Sequence, residues 1–432
     1  MAERDRRTVR DLRRGNRARV LERVYFGGPA SRQELGPATG LSSGSISNVV
    51  SELVAEGVLE EAGVVDSDGG RPRTLLRVAP ASGLLAGVDI GETRIRVELF
   101  DLSLTELARA ERPLDRHGYD VERVVAHVRA AVGRVLTDAG ADAARLLGIG
   151  VGVPGLVEQD PGAGGAVVHG QTIGWDAVPF ERLLRTAVDI PDDVPLFIDN
   201  GAKTLGQAEM WFGGGRGAST AAVALIGSGV GASVVQAADP DEAARPRALE
   251  WGHTTVRIRG RRCRCGAAGC LEAYAGAAAL RERWQEAGAE FPADADDETV
   301  LAALLAAAFP EDGTAPDARA ADLLDETAEY LGAAVADLVN LFCPERVLLG
   351  GWAGLLLGPR LLPGVRRHAE TYALRHAAAR TTIELGRLGP DAVTVGAATL
   401  PLSDFLSRGG SRRPPSAPRA PVPEGGIRSL WA

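Results

Sequence analysis

Residues 17–26 set Val20, Leu21 and Val24 among charged neighbours at helical spacing, a pattern that predicts an amphipathic helix. A short helix over 31–39 follows. Ser31 stands at its start with Glu34 three positions on, the signature of a capping box. Gly40-Leu41 makes a turn, and Ser42 or Ser43 opens a second helix that runs to about Glu56. Ile46, Val49, Val50 and Leu53 form its apolar face, leaving Ser43, Ser45, Ser47, Asn48 and Ser51 for the other side. Gly57 stops this helix. Residues 58–65 and 74–78 read as two strands around Asp66-Ser-Asp-Gly-Gly-Arg-Pro, a hairpin with a protruding tip. Helix, turn, helix, hairpin is the order of a winged helix-turn-helix, assigned to residues 1–80.

After residue 83 the pattern changes. Residues 84–89 form an apolar strand ending in Asp89-Ile-Gly-Glu-Thr. Residues 94–100 alternate strictly, with Ile95, Val97 and Leu99 on one face and Arg94, Arg96 and Glu98 on the other. Residues 121–139 are helical, 146–153 are a strand ending Val-Pro-Gly-Leu, and 196–198 are a short strand leading into Asp199-Asn200-Gly201. The strand, glycine turn, strand theme then returns at 220–226, Gly227-Ser-Gly-Val-Gly231 and 232–235. A duplicated α/β fold with a cleft between its halves follows from that repetition. Backbone N–H groups of such turns can cradle phosphates, although hairpins use glycine for geometry alone. Residues 321–342 read as a long helix and 346–351 as a strand. Cys343, at the end of that helix before Pro344, reads as a core thiol. Pro, Gly, Ser and Arg dominate from Arg408 on, so 408–432 is expected to be a disordered tail.

At 432 residues the chain exceeds one ordinary domain. No apolar run reaches the roughly 18 residues of a membrane span. The start of the chain lacks the apolar stretch of a secretory signal, so a cytoplasmic protein with reduced thiols is expected. Charge is unevenly divided. Residues 1–83 carry 13 Arg against 11 acidic residues, and the remainder carries 35 basic against 46 acidic. Only the slightly basic head suits a nucleic acid.

Two sets of residues carry candidate chemistry. On the head, Ser43, Ser45, Ser47 and Asn48 give a small, hydrogen-bonding face that suits a major groove. The Asn48 amide can pair bidentately with adenine. Arg71 at the hairpin tip suits a phosphate or a narrow minor groove. In the body, His253, Cys263, Cys265 and Cys270 offer one imidazole and three thiolates, a set that suits tetrahedral zinc in a closed structural site. Three of the four cysteines lie within eight positions, and a glycine follows Cys265 where a knuckle must turn. Redox-active or merely buried cysteines are the alternative. Glu250, His253 and Glu272 bracket the set, so a metal that draws the loop together brings them to one spot.

These residues resemble the ROK family, which groups bacterial repressors with sugar kinases. The resemblance spans about 17–402 and rests on Asp89-Ile-Gly-Glu-Thr, Gly152-Val-Pro-Gly155, Asp199-Asn-Gly-Ala, Gly227-Ser-Gly-Val-Gly231, Glu250-Trp-Gly-His and Cys-Arg-Cys-Gly-Ala-Ala-Gly-Cys-Leu-Glu. It implies a two-lobed, actin-like (ribonuclease-H-type) sugar-kinase fold over 84–407. One lobe takes about 84–199 plus about 388–405, and the other takes about 200–387. It also implies that Asn200, Glu250, His253 and Glu272 line a sugar pocket whose wall the zinc loop holds.

The departures from the family pattern point to function. The family's kinases have an aspartate after the Asn, as the base that takes the sugar hydroxyl's proton; here the position is Gly201. Extended backbone would turn Asp199 to the same side as Gly201, yet too far away to substitute. The first phosphate loop usually has two glycines after Asp-Ile, and the second is here Glu92, a carboxylate that repels phosphate. Thr172 replaces an Asn before Gly174-Trp175. A DNA-binding regulator, most simply a repressor, is therefore expected, with a catalytically inactive body, no catalytic residue and structural Zn2+. Its partners would be a double-stranded operator with an inverted repeat, a sugar or sugar derivative, and a second or further copies of itself as a homodimer or homotetramer. The alternative is an ATP-dependent sugar kinase with an added DNA-binding head.

Overall fold

The computed structural model of the chain describes residues 8–66, 72–114, 119–236, 245–292, 294–311 and 313–413. Its first helix, Val9–Gly27, begins about two turns before the apolar spacing does. The cause is local: Thr8 and Asp11 form a capping box. Ser31 and Glu34 cap the second helix, Arg32–Thr39, in the same reciprocal way. Ser42 caps the third, Ser43–Ala55, and Ile46, Val49, Val50 and Leu53 are its buried residues. Strands Leu59–Val65 and Arg73–Val78 pair antiparallel. A two-residue strand at Ala30–Ser31, which its length hides from periodicity, adds to the free side of Arg73–Val78. The hairpin tip with Arg71 lies outside the described residues.

The body holds two five-stranded sheets built alike. One runs in the order Glu106–Pro113, Arg94–Asp101, Leu84–Ile90, Leu146–Val153, Leu196–Asn200. The other runs Arg245–Leu249, Val230–Gln236, Thr220–Ile226, Arg346–Gly350, Thr382–Leu385. In each, the first three strands are antiparallel and the last two lie parallel to the third. The glycine turn of each sheet joins its second and third strands, so the duplication read from the two turns extends to the whole topology. A small antiparallel sheet of Leu156–Asp160, Gly165–Gly170 and Trp175–Val178 is added to the first lobe.

Two helices, Gly201–Phe212 and Ala392–Ser407, pack on one another, one against each sheet. The second of them explains why Arg96 and Glu98, on the polar side of an alternating strand, are buried. Glu98 accepts a hydrogen bond from Thr394 Oγ1 at 2.7 Å, and Arg96 pairs with Asp391 at the start of the last helix. Both faces of this sheet are covered, and the charges on the polar face are paired with Asp391, Thr394, Glu111 and Arg109.

The head shares its apolar core with the body. Val20, Leu21, Leu53 and Leu76 belong to one cluster with Leu85, Phe100, Leu402 and Phe405. The expected tail is corrected at its beginning: residues 408–413 are placed, with Gly409 O accepting from the buried Arg17 at 2.9 Å and Arg412 donating to Ala144 O at 2.6 Å. Residues 414–432 lie outside the described residues. Cys343 also departs from expectation. It caps its helix in the left-handed conformation at φ +46° and is exposed, because the chain reverses there into Pro344 rather than entering the core.

Candidate functional site

The cleft between the lobes encloses about 860 Å3, within the usual range for small-molecule sites. Both glycine turns, Asn200, Gly201, Thr172, Glu250, His253 and Glu272 line it. Sequence features alone account for much of this wall. In Glu250-Trp-Gly-His, the buried Trp251 anchors the segment by donating to Ala334 O at 3.0 Å, and Glu250 and His253 stay on the cleft. Gly252 is required between them, since a Cβ there would come within 2.0 Å of Val230 O.

His253, Cys263, Cys265 and Cys270 converge, with one ligand atom from each lying within 4.8 Å of the others. Cys263 Sγ lies 3.7 Å from His253 Nδ1, and Cys265 Sγ lies 3.8 Å from Cys270 Sγ. A tetrahedral zinc with bonds of about 2.3 Å to sulfur and about 2.0–2.1 Å to nitrogen needs edges of roughly 3.8 and 3.6 Å. The donor set fits such an ion in identity, and these two edges fit it in length. Burial pushes the Cys263 thiol up to about 12 and Cys270 in the same direction. A bound cation supplies the charge that lets buried thiols ionise.

Asn200 is the N-cap of Gly201–Phe212. Its Oδ1 accepts from Ala202 N and Lys203 N, and its Nδ2 donates to Gly155 O at 2.8 Å. The extended geometry expected at Asp199–Gly201 gives way to a helix start at Gly201. Asp199 is committed elsewhere, with Lys203 Nζ at 2.6 Å from its Oδ2 and Asn200 N at 2.9 Å from its Oδ1. Asp199 is therefore held by these partners and does not lean toward Gly201.

Glu92 is corrected more fully. It is not a bare carboxylate facing the cleft, because Arg264 binds it through both terminal nitrogens, with Nη2 at 2.5 Å from Oε1. The same Arg264 donates from Nε to Glu272 Oε1 at 2.8 Å. The other Glu272 oxygen accepts from Val230 N at 3.0 Å. Burial works against the guanidinium charge, and Glu92 and Glu272 more than reverse that, holding Arg264 above the ordinary arginine value. Asp89 retains some solvent contact but is packed closely enough that desolvation, opposed by Arg96 and Arg94, pushes its carboxyl up to about 6.

Sequence reasoning gave Arg264 and Asp89 no role beyond their motifs and missed Gln171, which donates to Cys265 O at 2.8 Å. Position 264 between two cysteines marks it as part of the knuckle, but a partner 172 residues away has no local signal. On the head, Ser43, Ser47 and Asn48 are exposed, while Ser45 is half-buried and its hydroxyl lies 3.0 Å from that of Ser42.

The chain matches the ROK family over residues 85–403. It is 30% identical to the xylose repressor of Caldicellulosiruptor bescii over 402 residues, 92% of this chain and 97% of that one. It is 31% identical to a glucokinase of Halalkalibacterium halodurans over 318 residues, 72% of this chain and 92% of that one. A solved ROK family transcriptional regulator, a homologue of the E. coli MLC protein, shares the fold with a TM-score of 0.70 at 24% identity, covering 92% of this chain and 98% of that one.

Proposed function

Because the chain belongs to the ROK family, we propose that it is a DNA-binding transcriptional repressor whose kinase-like body senses a sugar without phosphorylating it. One observation carries this reading: the helix that starts in the cleft ends on the head. Gly201–Phe212 has Asn200 and Gly201 at the cleft, and its last residues, Trp211 and Phe212, pack on Tyr25 and Phe26 of the first helix. Arg216 Nη2 adds a hydrogen bond to Phe26 O at 2.7 Å. The Ala392–Ser407 helix makes the same journey, from Val393 in the cleft to Phe405 and Leu406 in the head's core. A ligand that moves the start of either helix acts on the mounting of the DNA-reading element.

The sugar contacts are assigned to Asn200, Glu250, His253 and Glu272, with the His253/Cys3 set holding structural zinc behind them. Four protein ligands leave no open position on such an ion, so it would stiffen the loop rather than activate water. Ser43, Ser45, Ser47 and Asn48 read the operator, and Arg71 on the wing contacts its backbone. A single winged head makes few contacts, so the working form is a symmetric oligomer, at least a dimer, on an inverted repeat. Its place is the cytoplasm, with the chromosome. Among the described residues no helix is long and apolar enough to cross a membrane.

The test is a panel of pentoses, hexoses and amino sugars followed by thermal shift and by coupled ADP release. A ligand at 100 times its dissociation constant adds about 2.7 kcal/mol to stability. Stabilisation by one class of sugar without turnover supports the reading. Sugar-dependent ADP release above about 1 s⁻¹, in the usual enzyme range, overturns it in favour of a kinase with an added head.

A further inference from the structure

Arg17, in the first helix of the head, is only 8% exposed, and its guanidinium has partners in two other elements. Nε donates to Gly409 O at 2.9 Å. Nη1 and Nη2 take the two Glu56 oxygens at 2.7 and 2.5 Å, and Nη1 also reaches Glu52 Oε2 at 3.3 Å. Glu52 lies in the last turn of Ser43–Ala55, and Glu56 is its C-cap. Asn48, Glu52 and Glu56 follow at four-residue spacing, so they form one row along that helix. The row that carries Asn48 at one end is therefore gripped at the other.

The far side of the grip is the turn that ends the last helix of the body. Gly409 N donates to Leu406 O at 2.8 Å and Gly410 N to Phe405 O at 3.0 Å, the bond pair of a Schellman motif. The two glycines have φ of +66° and +81°, which the motif requires of its first glycine and which side chains resist. A Cβ on Gly409 would lie 2.6 Å from Arg17 Cβ, and one on Gly410 would meet Val58, Leu21 and Leu53 at 3.1–3.4 Å. The head sits on this turn because the turn has no side chains. The segment is also fastened to the first lobe. Arg412 donates to Ala144 O at 2.6 Å, and Arg413 pairs with Asp404 at 2.7 Å and lies over the Phe197 ring.

We propose that Arg17 is a positioning residue for operator reading: it fixes the rotation of Ser43–Ala55 about its own axis against the glycine turn that ends the body. The proposal rests on the DNA-binding reading above. Side chains reach about 5–6 Å from a helix axis, so a rotation of about 20° moves a side-chain tip by roughly 2 Å. A shift of that size breaks a bidentate pair with a base edge, whose bonds span only about 2.7–3.2 Å. Arg17 touches no base itself; it acts through Glu56 and Glu52. Lysine keeps the charge but lacks the planar fork, so it cannot hold Gly409 O and both Glu56 oxygens at once.

The test compares full-length wild type with Arg17→Lys, Glu56→Gln and Gly409→Ala, at a temperature where circular dichroism shows each chain folded. The readout is the ratio of dissociation constants for random and selected duplexes at fixed salt. A change of charge on the head moves both affinities together, so the ratio reports positioning. Each variant lowers the ratio about tenfold or more, the loss expected of a misplaced bidentate contact. Gly409→Ala is the sharpest of the three, because it lies in the body and changes no charge. If it does not fold, Glu56→Gln decides, since that side chain is 48% exposed and its amide keeps the shape. Unchanged ratios in Arg17→Lys and Glu56→Gln overturn the proposal, and so does an equal loss on both duplexes. Hydrogen exchange without DNA checks the grip separately. Arg17→Lys raises exchange about fivefold or more at residues 53–56 and 409–410 together; a rise at one of these sites alone overturns the grip. If wild type binds both duplexes equally, the DNA-binding reading fails and the positioning role with it, while the exchange result still decides whether Arg17 joins the two helix ends.

Discussion

Phe26 and Trp211 meet edge to face across the seam between head and body, with ring centroids 5.0 Å apart and planes 75° from each other. Such a pair contributes about 0.5–1.5 kcal/mol beyond its buried area. Phe26 closes the first head helix, and Trp211 closes the helix that starts at the cleft. Phe26→Ala is therefore expected to lower stability by roughly 1–2 kcal/mol and to shrink the effect of sugar on operator affinity. The check is operator binding with and without sugar; an unchanged sugar effect would show that the signal passes elsewhere.

Cys265→Ser removes one ligand of the metal set while leaving Arg264 in sequence. Metal analysis is expected to fall from about one zinc per chain to well below it. Melting temperature should fall with it, because binding energy at a structural site is also folding energy. A folded, sugar-responsive wild type isolated without zinc would rule out this role.

The carboxyl of Asp89 is pushed up to about 6, chiefly by burial. Below its ordinary value near 3.9 it is neutral in both folded and unfolded chains. Between that value and about 6 the folded chain holds a proton that the unfolded chain has released. The contribution thus favours folding at low pH and is lost as pH rises through about 6. Asp89→Asn should gain stability relative to wild type between pH 5 and pH 7, measured by denaturant unfolding. A constant difference across that range would contradict the assignment.

Gly201 is not kept for want of space. A Cβ there meets Leu225, Val153 and Val393 at 3.8 Å, ordinary contact distance. Position 201 is also the first residue of a helix, where an acidic side chain is favoured. Gly201→Asp is expected to fold within about 1 kcal/mol of wild type. It should still fail to phosphorylate sugar, because Arg264 and Glu92 remain between the glycine turns. Loss of folding would show that the glycine is structural. Turnover by this single variant would show that the base alone was missing.

Elements written in local chemistry were legible in the sequence. The caps at Ser31 and Ser42, the apolar face of Ser43–Ala55 and the two glycine turns all arise within a few residues of one another. The cysteine spacing carried its geometry for the same reason, since a knuckle closes over a short loop. What was not legible depends on distant partners. Arg96 and Glu98 look solvent-facing until the last helix covers them with Asp391 and Thr394. Glu92 looks like a bare charge until Arg264 arrives from the other lobe. The two-residue strand at Ala30–Ser31 is too short for any period, and Cys343 is exposed by a chain reversal that composition does not encode.

The most direct test of a sugar-responsive repressor is operator binding by the full chain. A duplex selected from a random pool, titrated by fluorescence anisotropy at fixed salt, should carry an inverted repeat and bind at least about 10³-fold tighter than random duplex. Asn48→Ala should lose most of that ratio while keeping non-specific affinity. Saturation with the sugar that stabilises the chain should weaken the specific complex by about tenfold or more, within the usual range of coupling between sites. Equal binding to selected and random duplexes, or specific binding that no stabilising sugar changes, would contradict the account.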